Sequence, residues 1–139
     1  MRLTWRDGVA SLFVAAAAVL YGLWLTGTAM TGTSIRVLGA VVFAFGWLAC
    51  TSNAAEMAVV YGAGCNRHAP MAYVVPASLI GGVALVAGVM TLVTASEAML
   101  AILVAATVAL WAMSTVRHAI AGETPEINRP VRRPLDRAA

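Results

Sequence analysis

Four long stretches without Asp, Glu, Lys or Arg constrain this chain more than any other feature: Gly8 to Ile35, Val37 to Ala55, His68 to Ser96 and Ala98 to Val116. Each is long enough to cross a bilayer, because about 20 helical residues at about 1.5 Å each span the roughly 30 Å hydrocarbon core. The expected fold is all-α, an integral membrane four-helix bundle with helices at about 8–26, 36–61, 70–93 and 97–118. Residues 1–119 form the expected transmembrane domain, and residues 120–139 a short, disordered, Pro-containing cytoplasmic tail.

Composition agrees. Hydrophobic residues make up 61% of the chain and charged residues 11%, with a mean hydropathy of +0.86. Soluble domains carry roughly a quarter charged residues. The 139 residues leave room for one domain, which four helices and short connections nearly fill. All nine basic residues are Arg, and together with abundant Ala, Val and Gly this matches the coding bias of a GC-rich bacterial genome. The expected location is therefore a bacterial cytoplasmic (inner) membrane.

The net charge of +3 would raise nucleic-acid binding in a soluble protein, but here the placement of charge decides. With the first residues cytoplasmic, Arg2, Arg6, Arg67, Arg117, Arg129, Arg132, Arg133 and Arg137 lie inside and Arg36 alone lies outside. The positive-inside rule thus gives both ends cytoplasmic and an even number of crossings. Nucleic acid is not an expected partner. The lipid bilayer is, together with other membrane proteins or further copies of the chain. The first uncharged run exceeds a signal-peptide core and no small-x-small cleavage site follows Leu25, so it reads as a retained anchor.

Local signals set the helix ends. Gly27, Thr28, Thr31, Gly32, Thr33 and Ser34 form a polar outer link after a first helix that starts near Trp5 or Gly8. Gly62 and Gly64 close the second helix, and Pro70 opens the third after an inner loop from Gly62 to Ala69. Pro76 predicts a modest kink, tolerated where neighbours satisfy the freed carbonyl. Thr94-Ala-Ser-Glu97 reads as a capping box with Thr94 as the cap, so Glu97 starts the fourth helix and complements its dipole.

Small residues recur at helical spacing. The third helix offers Ala77, Gly81, Ala84 and Gly88; the first Gly8, Ser11, Ala15, Ala18 and Gly22; the second Gly39, Gly46, Cys50 and Asn53; the fourth Ala98, Ala101, Ala105 and Ala112. In lipid, association depends on close van der Waals approach, which such stripes permit.

Few residues here suit chemistry. Asn53 and Glu56 share a helix face, and an intramembrane carboxylate is a functional candidate. Twenty residues from Arg36 place Glu56 about 30 Å away, at the inner boundary, where it would be hydrated. Asp7, Glu56, His68 and His118 fall on the predicted cytoplasmic side and are the candidate metal or proton-relay groups. None of these pairs has i, i+3 or i+4 spacing, and a polar girdle pairing Asp7 and Glu56 with Arg6, Arg67 or Arg117 is the alternative. No cofactor is expected.

Cys50 and Cys65 form no C-x-x-C pair and neither falls outside, which argues against disulfide exchange. Trp5, Tyr21, Trp24, Tyr61, Tyr73 and Trp111 fall near helix ends as interfacial anchors, while Trp47 lies deeper. The first helix has no carboxylate after Asp7, unlike small four-helix multidrug exporters. No run of paired Glu, Arg and Asn resembles the membrane glutathione transferases, and quinone-linked disulfide oxidases need the missing outer cysteines.

The sequence therefore predicts a non-enzymatic accessory, scaffold or self-associating subunit of a membrane complex. Arg129, Arg132, Arg133 and Arg137 are placed to touch anionic lipid, each worth about 1 kcal/mol near the surface. The alternatives are a small transporter or ion- or proton-conducting oligomer using Glu56, and a membrane metal protein or enzyme using the cytoplasmic His and carboxylate groups.

Overall fold

The computed structural model describes residues 5–30, 32–52 and 71–121, with backbone alone at 71, 72 and 118–121. Its elements are α1 (Trp5–Leu25), α2 (Ile35–Ser52), α3 (Met71–Thr94) and α4 (Glu97–Ala121). All four contain a span long and apolar enough to cross a membrane. Only 17% to 28% of the residues in each span are buried, and large apolar side chains such as Leu12, Val19, Leu79 and Val86 are exposed. A water-soluble monomer rarely exposes apolar area on this scale, whereas lipid tolerates it. The chain is accordingly described as a multi-pass membrane protein.

Each helix end has a local cause. At the end of α1, the Gly27 N–H donates to Trp24 O at 3.1 Å and the Thr28 N–H to Leu23 O at 3.2 Å, with Gly27 at φ 65°. This is the Schellman closure, and the left-handed conformation it needs explains the glycine. Ser34 caps α2, its Oγ accepting from the Val37 N–H at 3.3 Å. The cap of α4 corrects the sequence reading. Ser96 Oγ accepts from the Met99 N–H at 3.5 Å, while Thr94 Oγ1 donates back to Met90 O at 2.7 Å inside α3. Thr94 sits on a last turn whose carbonyls are within its own reach, so the serine next to Glu97 takes the capping role. Ala95 between them adopts φ 53°.

Two other boundaries shift. α1 begins at Trp5, the earlier of the two expected starts, and puts Asp7 in its first turn. α4 runs to Ala121, beyond the expected 118 and into the segment read as a tail. His118, Ala119, Ile120 and Ala121 contain no helix breaker; the first in sequence is Gly122, followed by Pro125. Pro76 lies inside α3 as expected. Residues 53–70, with the rest of the predicted second helix and the inner loop, lie outside the described residues, as does the tail from 122.

α3–α4 and α1–α2 share the most extensive contacts, and α2 and α4 each touch all three other helices. α1 and α3 therefore lie on the open diagonal, with α2 meeting α4 across the middle. Leu38, Val42, Leu100 and Leu103 are fully buried there, with Ala17 and Ala87 beside them. A smaller cluster of Ala10, Val14 and Ala49, with Phe13, lies towards the end where α1 starts.

Small residues do set the approach of helices, though not along every stripe read from spacing. A methyl group at Gly39 would stand 2.5 Å from Thr91 Cγ2, and one at Gly46 would stand 3.4 Å from Thr107 Oγ1. One at Gly88 would collide with the Phe43 ring. Thr91 and Thr107, the buried polar residues among those described, satisfy their hydroxyls on Ala87 O at 2.7 Å and Leu103 O at 2.8 Å. Gly8, Gly22 and Gly81 meet nothing within 4 Å. On α1 the buried face is Ala10, Val14 and Ala17 rather than Gly8, Ala15 and Gly22, and on α4 Ala98 and Ala105 are exposed. Larger residues, Leu100, Leu103 and Val104, fill the α4 interface instead.

Candidate functional site

Among the described residues, charged side chains stand at both ends of the helices. At the end bearing the connections, Arg36 donates from Nη2 to Val93 O at 3.2 Å. A cation at a helix C-terminus meets the carbonyl end of the dipole, and this bond ties α2 to α3. Glu97 begins α4 at the same end.

At the opposite end, α1 starts, α2 and α4 reach their last described turns, and α3 begins. The chain leaves the described residues at Ser52 and returns at Met71, so both ends of the segment carrying Asn53, Glu56, His68, Cys65 and Arg67 attach here. Those five residues lie outside the described residues. Asp7 is half-buried and engaged in a polar or electrostatic contact. His118 follows Arg117 on the α4 backbone, and its side chain is not described. Of the four candidate metal groups, Asp7 is thus the one with a described side chain. No group of three or more His, Cys, Asp or Glu that could hold a metal occurs among the described residues.

Two clefts open at this end. One, of about 220 Å³, lies between α1 and α2 and is lined by Trp5, Arg6, Val9, Thr51 and Ser52. Both hydroxyls already donate to their own helix, Thr51 Oγ1 to Leu48 O at 3.1 Å and Ser52 Oγ to Ala49 O at 2.8 Å. They present acceptor lone pairs to the cleft, beside the Arg6 cation. The other, of about 390 Å³, runs along the α3–α4 seam and is lined by Tyr73, Ala112, Met113, Val116 and Arg117. The Arg117 guanidinium lies over the Tyr73 ring, 4.6 Å from its centroid, a cation–π contact joining the two helices.

One polar contact escaped the sequence reading. Trp111 Nε1 donates to Ser11 Oγ at 2.9 Å and clamps α4 to α1 across 100 positions of sequence. Trp111 read as an anchor and Ser11 as one member of a small stripe. The usable signal was chemical: a hydroxyl and an indole N–H inside apolar runs both need partners where water is absent. Cys50 is a half-buried free thiol on α2. Tyr21 and Trp24 stack at 6.3 Å against the larger cluster, whereas Trp5 and Trp47 are exposed, Trp47 from the middle of α2.

Comparison of the chain with protein-family models, with curated proteins and with solved structures finds no match.

Proposed function

We propose that the chain is a bacterial inner-membrane four-helix bundle with both ends cytoplasmic, acting as a non-enzymatic accessory or scaffold subunit through its lateral helix faces. The observation that carries this reading is the filled centre. Among the described residues, Leu38, Val42, Leu100 and Leu103 fill the space where α2 meets α4, which favours helices that brace one another over helices that line a polar path. The outward faces are correspondingly apolar, above all on α3, where Leu79, Val83, Val86, Val89 and Val93 are exposed. A rigid rod set with such faces suits lateral association with other membrane helices. Arg129, Arg132, Arg133 and Arg137 add a basic segment for the cytoplasmic leaflet.

The test is purification of the full chain from its native membrane in mild detergent, with mass determined by light scattering. A stoichiometric complex or a defined homo-oligomer is expected. A monodisperse single copy at every protein concentration would overturn the scaffold reading.

A further inference from the structure

We infer that the cleft between α1 and α2 seats the headgroup of one phosphatidylglycerol-type lipid, an anionic phosphodiester bearing free hydroxyls, in the leaflet at which α1 starts. The donors come first. Among the described residues, neither the Arg6 guanidinium nor the Trp5 indole N–H has a hydrogen-bond or charge partner, and both line the cleft. A fork of five guanidinium N–H groups and one indole N–H suit the oxygens of a phosphate and of the glycerol ester beneath it.

The acceptors select the rest of the headgroup. Thr51 Oγ1 and Ser52 Oγ donate their protons to Leu48 O and Ala49 O, so each turns lone pairs to the cleft. A bare anion gains nothing from them. A headgroup that joins a phosphate to its own O–H donors meets both halves of the lining, and glycerol hydroxyls do so without setting an ammonium beside the Arg6 cation. Choline has neither N–H nor O–H to offer.

Depth and size agree. Ala10 and Ala49 pack in one cluster, so Arg6 and Ser52 stand at a common level about one turn beyond it. From Trp5, α1 runs 21 residues, about 30 Å, to the polar link at its other end. Trp5 and Arg6 therefore lie at the level of the phosphates, where an amphipathic indole is at home. The volume of about 220 Å³ is below that of drug-sized ligand sites, so the cleft takes a headgroup while the acyl chains stay in the bilayer.

This inference rests on the membrane-spanning reading, and its test separates the two. The full chain is purified in detergent and titrated with phosphatidylglycerol, phosphatidylcholine or free glycerol phosphate, following the thermal midpoint and lipid retention by native mass spectrometry. Phosphatidylglycerol should raise the midpoint and remain bound in one copy, ahead of both other probes. Arg6→Ala, a change at an exposed position, should weaken it at least about tenfold, the value of a charged hydrogen bond. Thr51→Val combined with Ser52→Ala removes the two acceptors and should weaken phosphatidylglycerol at least about fivefold while leaving phosphatidylcholine unchanged. Equal binding of phosphatidylcholine, an equal effect of glycerol phosphate, or unaltered phosphatidylglycerol binding in Arg6→Ala would overturn the site. A chain that stays dissolved without detergent would instead overturn the membrane reading beneath it.

Discussion

Among the described residues, the end bearing the α1–α2 and α3–α4 connections and the end where α1 starts pack differently. At the first, Gly39 and Gly88 bring α2 and α3 into contact over Thr91 and Phe43, and Arg36 ties the α3 C-terminus down. At the second, Ala10, Val14 and Ala49 form a smaller cluster, and two clefts separate the helix pairs. The cations Arg6 and Arg117 line those clefts. A short, capped connection holds two helices close without further help.

The sharpest way to break this comparison is to overfill glycines on either side of it. Gly88→Leu drives a side chain into the Phe43 ring and should lower stability by about 3 kcal/mol or more, the upper end for overpacking. Gly81→Leu, on the same helix but facing open space, should stay within about 0.5 kcal/mol. Denaturation of both variants in one detergent, followed by helical circular dichroism, reads the difference directly. Equal losses would mean that α3 is not held through its Gly88 face.

Much of the fold was legible because charge-free runs of this length have few fates, and because the polar link that opens at Gly27 marks where the first helix stops. The packing faces were not. In water a helix announces its buried face by hydrophobic contrast, but here the inward and lipid-facing residues are both apolar, so spacing cannot distinguish them. Gly8, Ala15 and Gly22 share a face as neatly as Ala10, Val14 and Ala17, and the latter set is the one that packs. The α3–α4 cap failed for a narrower reason. Thr94 and Ser96 both have capping side chains, and the choice depends on where α3 stops. The Trp111–Ser11 bond joins residues too distant in sequence for any local pattern. Asn53, Glu56 and His68 remain sequence expectations, since they lie outside the described residues.

A smaller effect sharpens the picture at the tight end. Ala95 holds φ 53°, a conformation that costs an L-residue about 1 kcal/mol and glycine almost nothing. Ala95→Gly should therefore raise stability by up to about 1 kcal/mol, measured in the same unfolding assay, and a loss would show that the connection gains from its methyl group. Smaller again is the clamp at the open end. Ser11→Ala and Trp111→Phe, combined in a double-mutant cycle, should give a coupling near 0.6 kcal/mol, the average for hydrogen bonds between membrane helices. A coupling of zero would detach α1 from α4 at this level.

The account stands on four crossings with the arginine-rich end in the cytoplasm, and fusion topology tests it most directly. Alkaline phosphatase and green fluorescent protein are placed in turn after Thr28 and after Ala139. The account predicts an active phosphatase and a dark fluorescent protein at Thr28, with the reverse at Ala139. Phosphatase activity at Ala139 would contradict it.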